Sequence, residues 1–358
     1  MNVFHCDHCN QLVFFENTHC LKCEHLLAYL PDIREIDSLD EQPNATFTTP
    51  EPLAEGRSYR LCSNRLEHNV CNWAVEADDP NPLCRSCRFT TIIPDLSVPA
   101  NVTAWAKLEN AKRRLLHSLT LLGCPLMTKD DDPEGGLAFE FKGDPIDPAE
   151  PRVLTGHANG VITVNIIEAD DAERERMRTA MHEPYRTLLG HFRHEVGHYY
   201  WDVLIAKSRH LDEYRKLFGD ERADYGEAVK RHYDTGAPAD WQLSFISSYA
   251  AMHPWEDWAE TWAHYLHMQD TLETAAACGV SIKPKQRNQP TAATMKPVEE
   301  QTRKGFEKSL ESWYPLTYLL NNLNRGLGQP DAYPFVLSDP AVKKLAFVHK
   351  VLQDLPKA

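Results

Sequence analysis

The sequence lacks a hydrophobic run that could cross a membrane. Its longest apolar stretch, residues 119–127, is interrupted by Gly123 and Pro125 and falls far short of the roughly 20 apolar residues that a spanning helix needs. The opening residues MNVFHCDHCN also lack the basic segment and apolar run that are typical of a secretory signal. We therefore expect no membrane association and no export, and we predict a cytoplasmic location.

The sequence also has fewer basic than acidic residues. The 358 residues include 38 Lys and Arg against 52 Asp and Glu, which gives a formal net charge of −14. A chain of that charge is repelled by polyanions, so the composition argues against nucleic acid as a general partner. The content of hydrophobic residues, 42%, is ordinary for a soluble protein, and the length allows two or three domains.

Cysteine, in contrast, is not scarce, and its spacing is informative. Ten cysteines in a chain without an export signal indicate metal ligation and not disulfides. Two Cys-x2-Cys pairs around a short hairpin are typical of a zinc ribbon. The predicted ligands of structural zinc 1 are Cys6, Cys9, Cys20 and Cys23, and those of structural zinc 2 are Cys62, Cys71, Cys84 and Cys87. The second set is less regular, and the spacing leaves pairing across the two sets open.

The remaining N-terminal segments give a coarse set of predicted elements. Residues 32–58 are rich in Pro, Asp, Glu and Thr, which predicts a linker or long loop. Residues 101–122 have the periodicity of an amphipathic helix, with Lys112, Arg113 and Arg114 on its solvated side. Strand-like runs at 137–141, 152–155 and 161–167 follow, and we expect the last two to form a hairpin.

Further expectations concern the C-terminal half. We predict a charged helix over 171–181, a second over 214–233, and two closing helices over 306–323 and 341–352. Residues 283–304 are polar and contain several prolines, which indicates a surface excursion. The isolated thiols of Cys124 and Cys278 are expected to be buried.

The segment with the clearest chemistry is His194-Glu195-Val196-Gly197-His198. In a helix, the two histidines lie one turn apart on the same face and offer two of the nitrogen ligands that zinc accepts. Glu195 is close enough to act on a water at the metal. A chance match is a real alternative in a chain with 17 His, but a long apolar helix would bury these polar groups at a cost unless they had a role. Pro184 is expected in the first turn of this helix.

A third ligand must come from elsewhere, because a catalytic zinc site uses three protein ligands. The metzincin pattern requires Gly and His where this chain has Trp201 and Leu204. The run HPWEDWAETWAH is the better source. Pro254 suits the start of a helix, and Glu256 and Glu260 share one of its faces, where two like charges repel unless a cation is near.

We therefore assign Glu256 to the catalytic zinc and Glu260 to a hydrogen bond with a ligating imidazole. Glu260, Asp257 and His264 stay open as other third ligands. The neighbouring Trp255, Trp258 and Trp262 indicate that this helix is packed and not solvated.

These motifs resemble those of bacterial zinc-binding metallopeptidases that carry an N-terminal zinc ribbon. The resemblance rests on HFRHEVGHYYW and HPWEDWAETWAHYLH, is supported by LCRSCRFTTIIPDL and TGHANGVITVNIIEADD, and covers most of residues 1–345. More distantly, Glu256 and Glu260 are similar to the Glu-x-x-x-Glu of gluzincins and lethal-factor-type toxins. That resemblance implies that a tyrosine seven residues upstream, Tyr249, faces the site. Glu260 departs from the thermolysin-type pattern, in which Asp is usual.

The predicted fold is α+β: a double zinc-ribbon (rubredoxin-like) domain over residues 1–98, followed by a mostly helical, zincin-like metallopeptidase domain with a small β-sheet over 99–358. The predicted cofactors are one catalytic and two structural zinc ions. We expect Glu195 to take the proton of a zinc-bound water that attacks a peptide bond, and Tyr249 to stabilise the oxyanion.

Two other functions stay open. The ribbons could dock a protein or a nucleic acid, with the histidine-containing domain as a scaffold. The same zinc chemistry could also act on a small amide that is not a peptide.

Overall fold

The computed structural model describes residues 3–145, 147, 149–181, 183–282 and 305–356. The chain divides into two compact units. The N-terminal unit consists of Asn2–Leu119 and Leu126–Arg176, and the C-terminal unit of Thr120–Pro125 and Met177–Ala358. Helices and small sheets are both present, so the molecule is α+β as predicted. The units are not divided at residue 98, and the domain boundary expected there stays a prediction.

Among the described residues, the strands lie in the N-terminal unit. They are β1 (Phe4–Cys6), β2 (Gln11–Val13), β3 (Leu27–Leu30), β4 (Glu35–Ser38), β5 (Asp40–Gln42), β6 (Thr46–Thr48), β7 (Tyr59–Leu61), β8 (Ala74–Glu76), β9 (Thr90–Ile92), β10 (Ala138–Lys142), β11 (Gly156–Ala158) and β12 (Val161–Asn165). The helices that begin in this unit are α1 (Ser63–His68), α2 (Pro99–Leu121) and α3 (Asp171–Ala180).

The strands form two hairpins and two larger sheets. β1 pairs with β2 and β3 pairs with β4, both antiparallel. An antiparallel sheet has the order β5-β6-β7-β8, and a mixed sheet has the order β11-β12-β10-β9. The prediction of a linker over residues 32–58 was wrong, because β4, β5 and β6 lie there. These strands are only three or four residues long and rich in polar side chains, so the alternating apolar pattern that signals a strand is missing.

The long helix α2 differs from its prediction in the basic residues that were expected on its solvated side. Its apolar face is buried as expected, but Lys112 and Arg113 are buried too. Each is paired: Lys112 Nζ donates to Glu109 Oε1 at 3.0 Å, and Arg113 Nη1 donates to the carbonyl of Val70 at 2.9 Å. Arg114 is half-buried and donates from Nε to Glu16 Oε1 at 3.1 Å. A buried charge is tolerated when it is paired in this way, and periodicity alone cannot show such partners.

The predicted hairpin exists, but with a different first arm. β11 pairs antiparallel with β12 through the turn at Asn159 and Gly160, which both have positive φ. The first arm therefore consists of residues 156–158 and not 152–155. β12 continues into the mixed sheet by pairing parallel with β10. Glycine and asparagine accept the left-handed backbone that a two-residue turn needs, so residues 156–158 are free to pair as a strand.

Helices make up the C-terminal unit. They are α4 (Leu188–Leu204), α5 (Leu211–Phe218), α6 (Tyr225–Thr235), α7 (Pro254–Ala277), α8 (Phe306–Gly326) and α9 (Asp339–Gln353). α7 is central, because it packs against α4, α5, α8 and α9. Trp258 and Trp262 are fully buried on it, and the ring of Trp262 stacks on that of Tyr200 from α4 at 4.9 Å between centroids. The prediction that α7 is packed is confirmed.

Several expectations for this unit need correction. Pro184 lies before α4, whose first turn is capped by Thr187. The single helix predicted over 214–233 is two helices, α5 and α6, separated by a segment that starts at Gly219 with a positive φ. Cys124 is buried as predicted, whereas Cys278 is exposed, because it lies at the C-terminal end of α7.

The closing helices α8 and α9 are confirmed, and each is a few residues longer than predicted. The surface excursion predicted for residues 283–304 lies outside the described residues. Within the part of the chain that is described, no helix has the length and apolar character needed to cross a bilayer.

Candidate metal centres

Eight cysteines of the N-terminal unit come together in two groups of four, in the sets that the spacing favoured. Cys6, Cys9, Cys20 and Cys23 form one group, and Cys62, Cys71, Cys84 and Cys87 form the other. In the first group the Sγ atoms of Cys6 and Cys23 lie 3.7 Å apart and those of Cys9 and Cys20 3.6 Å apart. In the second group the Sγ atom of Cys71 lies 3.6 Å from that of Cys84 and 3.7 Å from that of Cys87. Thiolates bound tetrahedrally to zinc at about 2.3 Å lie about 3.8 Å apart, so both groups fit a zinc ion.

The second cysteine group is the more deeply placed, since all four of its side chains are buried. Two backbone N–H groups donate to sulfur atoms of this group. The Cys84 N–H donates to Cys62 Sγ at 3.3 Å, and the Trp73 N–H donates to Cys71 Sγ at 3.4 Å. Burial lowers the pKa of the Arg113 guanidinium, but the surrounding anions, Cys71 first and then Glu109, together outweigh burial and keep that pKa raised. A buried cation thus offsets part of the negative charge of four thiolates.

In the C-terminal unit, helix α4 orients the two motif histidines. The Thr187 side chain caps it by accepting a hydrogen bond from the Gly190 N–H at 3.0 Å. His194 and His198 follow one turn apart, with ring centroids separated by 5.0 Å. Gly197 lets α7 approach closely, because a Cβ built there would lie 3.0 Å from the Cα of Ala259. The glycine of the motif therefore sets the distance between the two helices.

Helix α7 supplies the facing carboxylates. It begins at Pro254, as predicted, and the His253 side chain caps it by accepting from the Trp255 N–H at 3.1 Å. This start places Glu256 in the first turn, where it is only 2% exposed. Glu260 follows one turn later on the same face.

His194, His198 and Glu256 converge on one point. Glu256 Oε2 lies 3.0 Å from His194 Nε2, and Glu256 Oε1 lies 3.4 Å from His198 Nε2. Nitrogen and oxygen ligands about 2.1 Å from a tetrahedral zinc lie about 3.4 Å apart. Two imidazoles and one carboxylate are also a donor set that catalytic zinc takes, so these three side chains fit a zinc ion.

Charge reinforces the arrangement. Burial raises the pKa of the Glu256 carboxyl, but the His198 and His194 imidazoles outweigh it and hold that pKa well below its usual range. Burial likewise lowers the pKa of His194, while hydrogen bonds with Glu256 and Glu260 raise it well above the ordinary value. The buried Glu256 carboxylate therefore needs a positive charge beside it, which a protonated imidazole or a metal ion can supply.

Glu260 lies behind the convergent group. Its Oε1 accepts from His194 Nδ1 at 2.7 Å, and its Oε2 accepts from the Ser247 hydroxyl at 2.6 Å. Burial raises the pKa of Glu260, but His194, with smaller contributions from His264 and the Ser247 hydroxyl, outweighs burial and brings that pKa to about 2. A carboxylate that accepts from Nδ1 fixes the orientation of the imidazole, so that the His194 Nε2 atom faces Glu256.

Two tyrosines and Glu195 complete the surroundings. Tyr225 donates from its hydroxyl to Glu256 Oε1 at 2.8 Å. The Tyr249 ring lies 5.9 Å from that of His194, between centroids. Burial is the largest cause that raises the pKa of both tyrosines, and the charge of Glu195 raises both further. Glu195 therefore lies close enough to the two hydroxyls to affect them electrostatically.

The other third-ligand candidates are engaged elsewhere. Asp257 Oδ2 accepts from Lys344 Nζ at 2.6 Å, and both side chains are buried. His264 Nδ1 lies 2.7 Å from the Tyr333 hydroxyl. Neither side chain belongs to the group formed by His194, His198 and Glu256.

Sequence reasoning missed Tyr225 and Ser247. Tyr225 lies 31 residues before Glu256, without any motif that relates the two, so only the fold brings them together. Ser247 is close in sequence to Tyr249, but serine is common in loops and gave no signal.

The donor sets at all three places are those of zinc, which puts the chain among zinc-binding proteins. Comparison with known families is more specific. The sequence model of the family described as "putative zinc-binding metallo-peptidase" matches residues 101–351, and that of a zinc-ribbon domain matches residues 3–98. The chain therefore belongs to this metallopeptidase family and carries an N-terminal zinc-ribbon region, as the motifs indicated.

Related proteins extend the comparison over the whole chain. Proteins described as uncharacterized, from Mycobacterium bovis and Mycobacterium tuberculosis, are 43% identical over 357 residues. The match covers 99% of this chain and 96% of each relative. No solved structure matches the chain significantly.

Proposed function

We propose that this protein is a zinc-dependent hydrolase of peptide bonds, of the gluzincin type, with one catalytic and two structural zinc ions. The observation that carries the proposal is the convergence of His194, His198 and Glu256, with Glu195 adjacent to the first histidine. Family membership supports it independently, because the family is one of zinc-binding peptidases. The two cysteine groups have no open position for chemistry when zinc is bound by four thiolates, so they stabilise the N-terminal unit.

The roles of the residues follow from where they lie. His194, His198 and Glu256 would hold the catalytic ion. Zinc bound there would supply Lewis acidity, which polarises a carbonyl and makes a water molecule more acidic. Glu195 has a carboxylate that can accept the proton of the attacking water and deliver it to the leaving amine.

Tyr249 and Glu260 have supporting roles in this proposal. The Tyr249 hydroxyl keeps its proton at neutral pH, since burial raises its pKa, so it can donate a hydrogen bond to a developing oxyanion. Glu260 holds His194 through Nδ1 and fixes the direction of its Nε2.

One comparison tests the metal and the chemistry separately. We expect elemental analysis to find three zinc ions per chain in the wild type and in Glu195→Gln, and two in His194→Ala, because the cysteine groups are unaffected. Glu195→Gln should abolish cleavage of a peptide library while zinc stays bound. Two zinc ions in both the wild type and His194→Ala would refute the catalytic site. Retained cleavage by Glu195→Gln, with contaminating protease excluded, would remove Glu195 from the mechanism.

A further inference from the structure

Tyr225 connects helix α6 to the proposed zinc site. It is the first residue of α6, whose start is fixed by Asp224, because the Asp224 carboxylate accepts from the Glu227 N–H at 2.9 Å. The Tyr225 ring lies 5.3 Å from that of His253, the cap of α7. α6 has a single buried residue, Ala228. Apolar burial therefore holds this helix only weakly, and polar contacts at its ends matter more.

The hydrogen bond from Tyr225 selects one oxygen of Glu256. Oε1 accepts from the tyrosine hydroxyl at 2.8 Å, whereas Oε2 is the oxygen nearer His194 Nε2, at 3.0 Å. A carboxylate can rotate about its last bond and offer either oxygen or both to a metal. A donor on one oxygen restricts that rotation and fixes which lone pairs face the two imidazoles.

We propose that Tyr225 is a positioning residue that holds the Glu256 carboxylate in its zinc-binding orientation and thereby couples the order of α6 to metal binding. This inference rests on the zinc site of the proposed function. It differs from the role given to Tyr249, because a hydroxyl that donates to Glu256 cannot donate the same proton to a substrate. Removing the Tyr225 hydroxyl should weaken zinc binding as well as turnover.

The test uses the full chain with the cysteine groups loaded with zinc. The change is Tyr225→Phe, and the matched control is Tyr233→Phe on the same helix, where the side chain is 64% exposed. Zinc affinity of the histidine site is measured by competition with a chelator. We expect Tyr225→Phe to weaken it about 10-fold or more, as is usual when a partner of a ligand is removed, and the control to match the wild type. An affinity of Tyr225→Phe within twofold of the wild type would overturn the proposal.

The effect of zinc on amide hydrogen exchange in α6 distinguishes a positioning role of Tyr225 from a purely structural one. We expect added zinc to slow amide exchange in Tyr225–Thr235 in the wild type and in Tyr233→Phe, and to have a much smaller effect in Tyr225→Phe. If Tyr225 served packing alone, the substitution would speed exchange equally with and without zinc, and the inferred coupling would be wrong.

The same series separates this inference from the proposed function. If His194→Ala holds as much zinc as the wild type, the histidine site itself is refuted, and the positioning role falls with it. If His194→Ala loses one zinc while Tyr225→Phe keeps wild-type affinity, only the positioning role is refuted.

Discussion

The contact between α4 and α7 at Gly197 makes a quantitative prediction. A Cβ at position 197 would lie 3.0 Å from the Cα of Ala259, and 3.3 Å from both its carbonyl oxygen and the Cβ of Trp262. Carbon atoms pack best at about 3.5–4.0 Å, so Gly197→Ala must push the helices apart by about 0.5 Å. The hydrogen bond from Trp258 Nε1 to the Gly197 carbonyl, 2.9 Å long, spans the same gap and would lengthen.

Two energies compete in this variant. Overpacking of a core contact typically costs about 1–3 kcal/mol, while alanine is about 1 kcal/mol better than glycine inside a helix. We therefore expect a net loss of up to about 2 kcal/mol in the free energy of unfolding. Zinc binding should suffer more, because zinc sites tolerate only about 0.2 Å in ligand distances and the ligands lie on opposite sides of this contact.

Chemical denaturation and zinc titration check both effects. Gly326→Ala in α8 is the matched control, because it is helical and a Cβ there would meet nothing within 4 Å. Because Gly326 is the last residue of α8, the control should gain less than the roughly 1 kcal/mol that alanine gains over glycine inside a helix, and it should bind zinc normally. If Gly197→Ala is stabilised like the control and keeps its zinc affinity, the argument that this glycine sets the helix spacing is wrong.

Two further predictions concern buried charges of the C-terminal unit. Lys344→Met leaves the Asp257 carboxylate buried without its cation, which should lower the free energy of unfolding by about 3–5 kcal/mol in denaturation experiments. Adding Asp257→Asn should recover much of this loss. Equal stability of the single and double variants would contradict the prediction. Glu260 has a folded-state pKa of about 2, below its ordinary value. In the zinc-free protein, the ionised carboxylate therefore stabilises the fold above about pH 4.5. This stabilisation is lost as the pH falls toward 2. The difference in unfolding free energy between wild type and Glu260→Gln should shrink over that range, and a constant difference would count against the ion pair with His194.

Local patterns predicted much of the candidate site. The spacing in His194-Glu195-Val196-Gly197-His198 places two imidazoles on one helical face, because 3.6 residues make one turn. The four-residue spacing of Glu256 and Glu260 works in the same way, and Pro254 marked the start of its helix. The structure brings Glu256 to both histidines and Glu260 to His194 Nδ1, which is the arrangement expected from the like-charge argument.

Other contacts depend on residues that are distant in sequence. Lys112 and Arg113 were predicted to be solvated because a cation on a helix usually faces water. Besides Glu109 on the same helix, however, Lys112 donates to the Thr90 hydroxyl, and Arg113 donates to the Val70 carbonyl. Residues 32–58 lacked an apolar alternation, and their strands form through backbone hydrogen bonds that leave little trace in side-chain type. Exposure of Cys278 likewise follows from where α7 ends.

The sequence alone thus determined which residue types can bind zinc and how they are spaced along each helix or knuckle. Those are local quantities, fixed by backbone geometry over a few residues. The tertiary structure decided which of several carboxylates faces the histidines, how closely α4 and α7 approach, and that Tyr225 reaches Glu256. These depend on packing between segments tens of residues apart, where small differences in helix position select one partner among several.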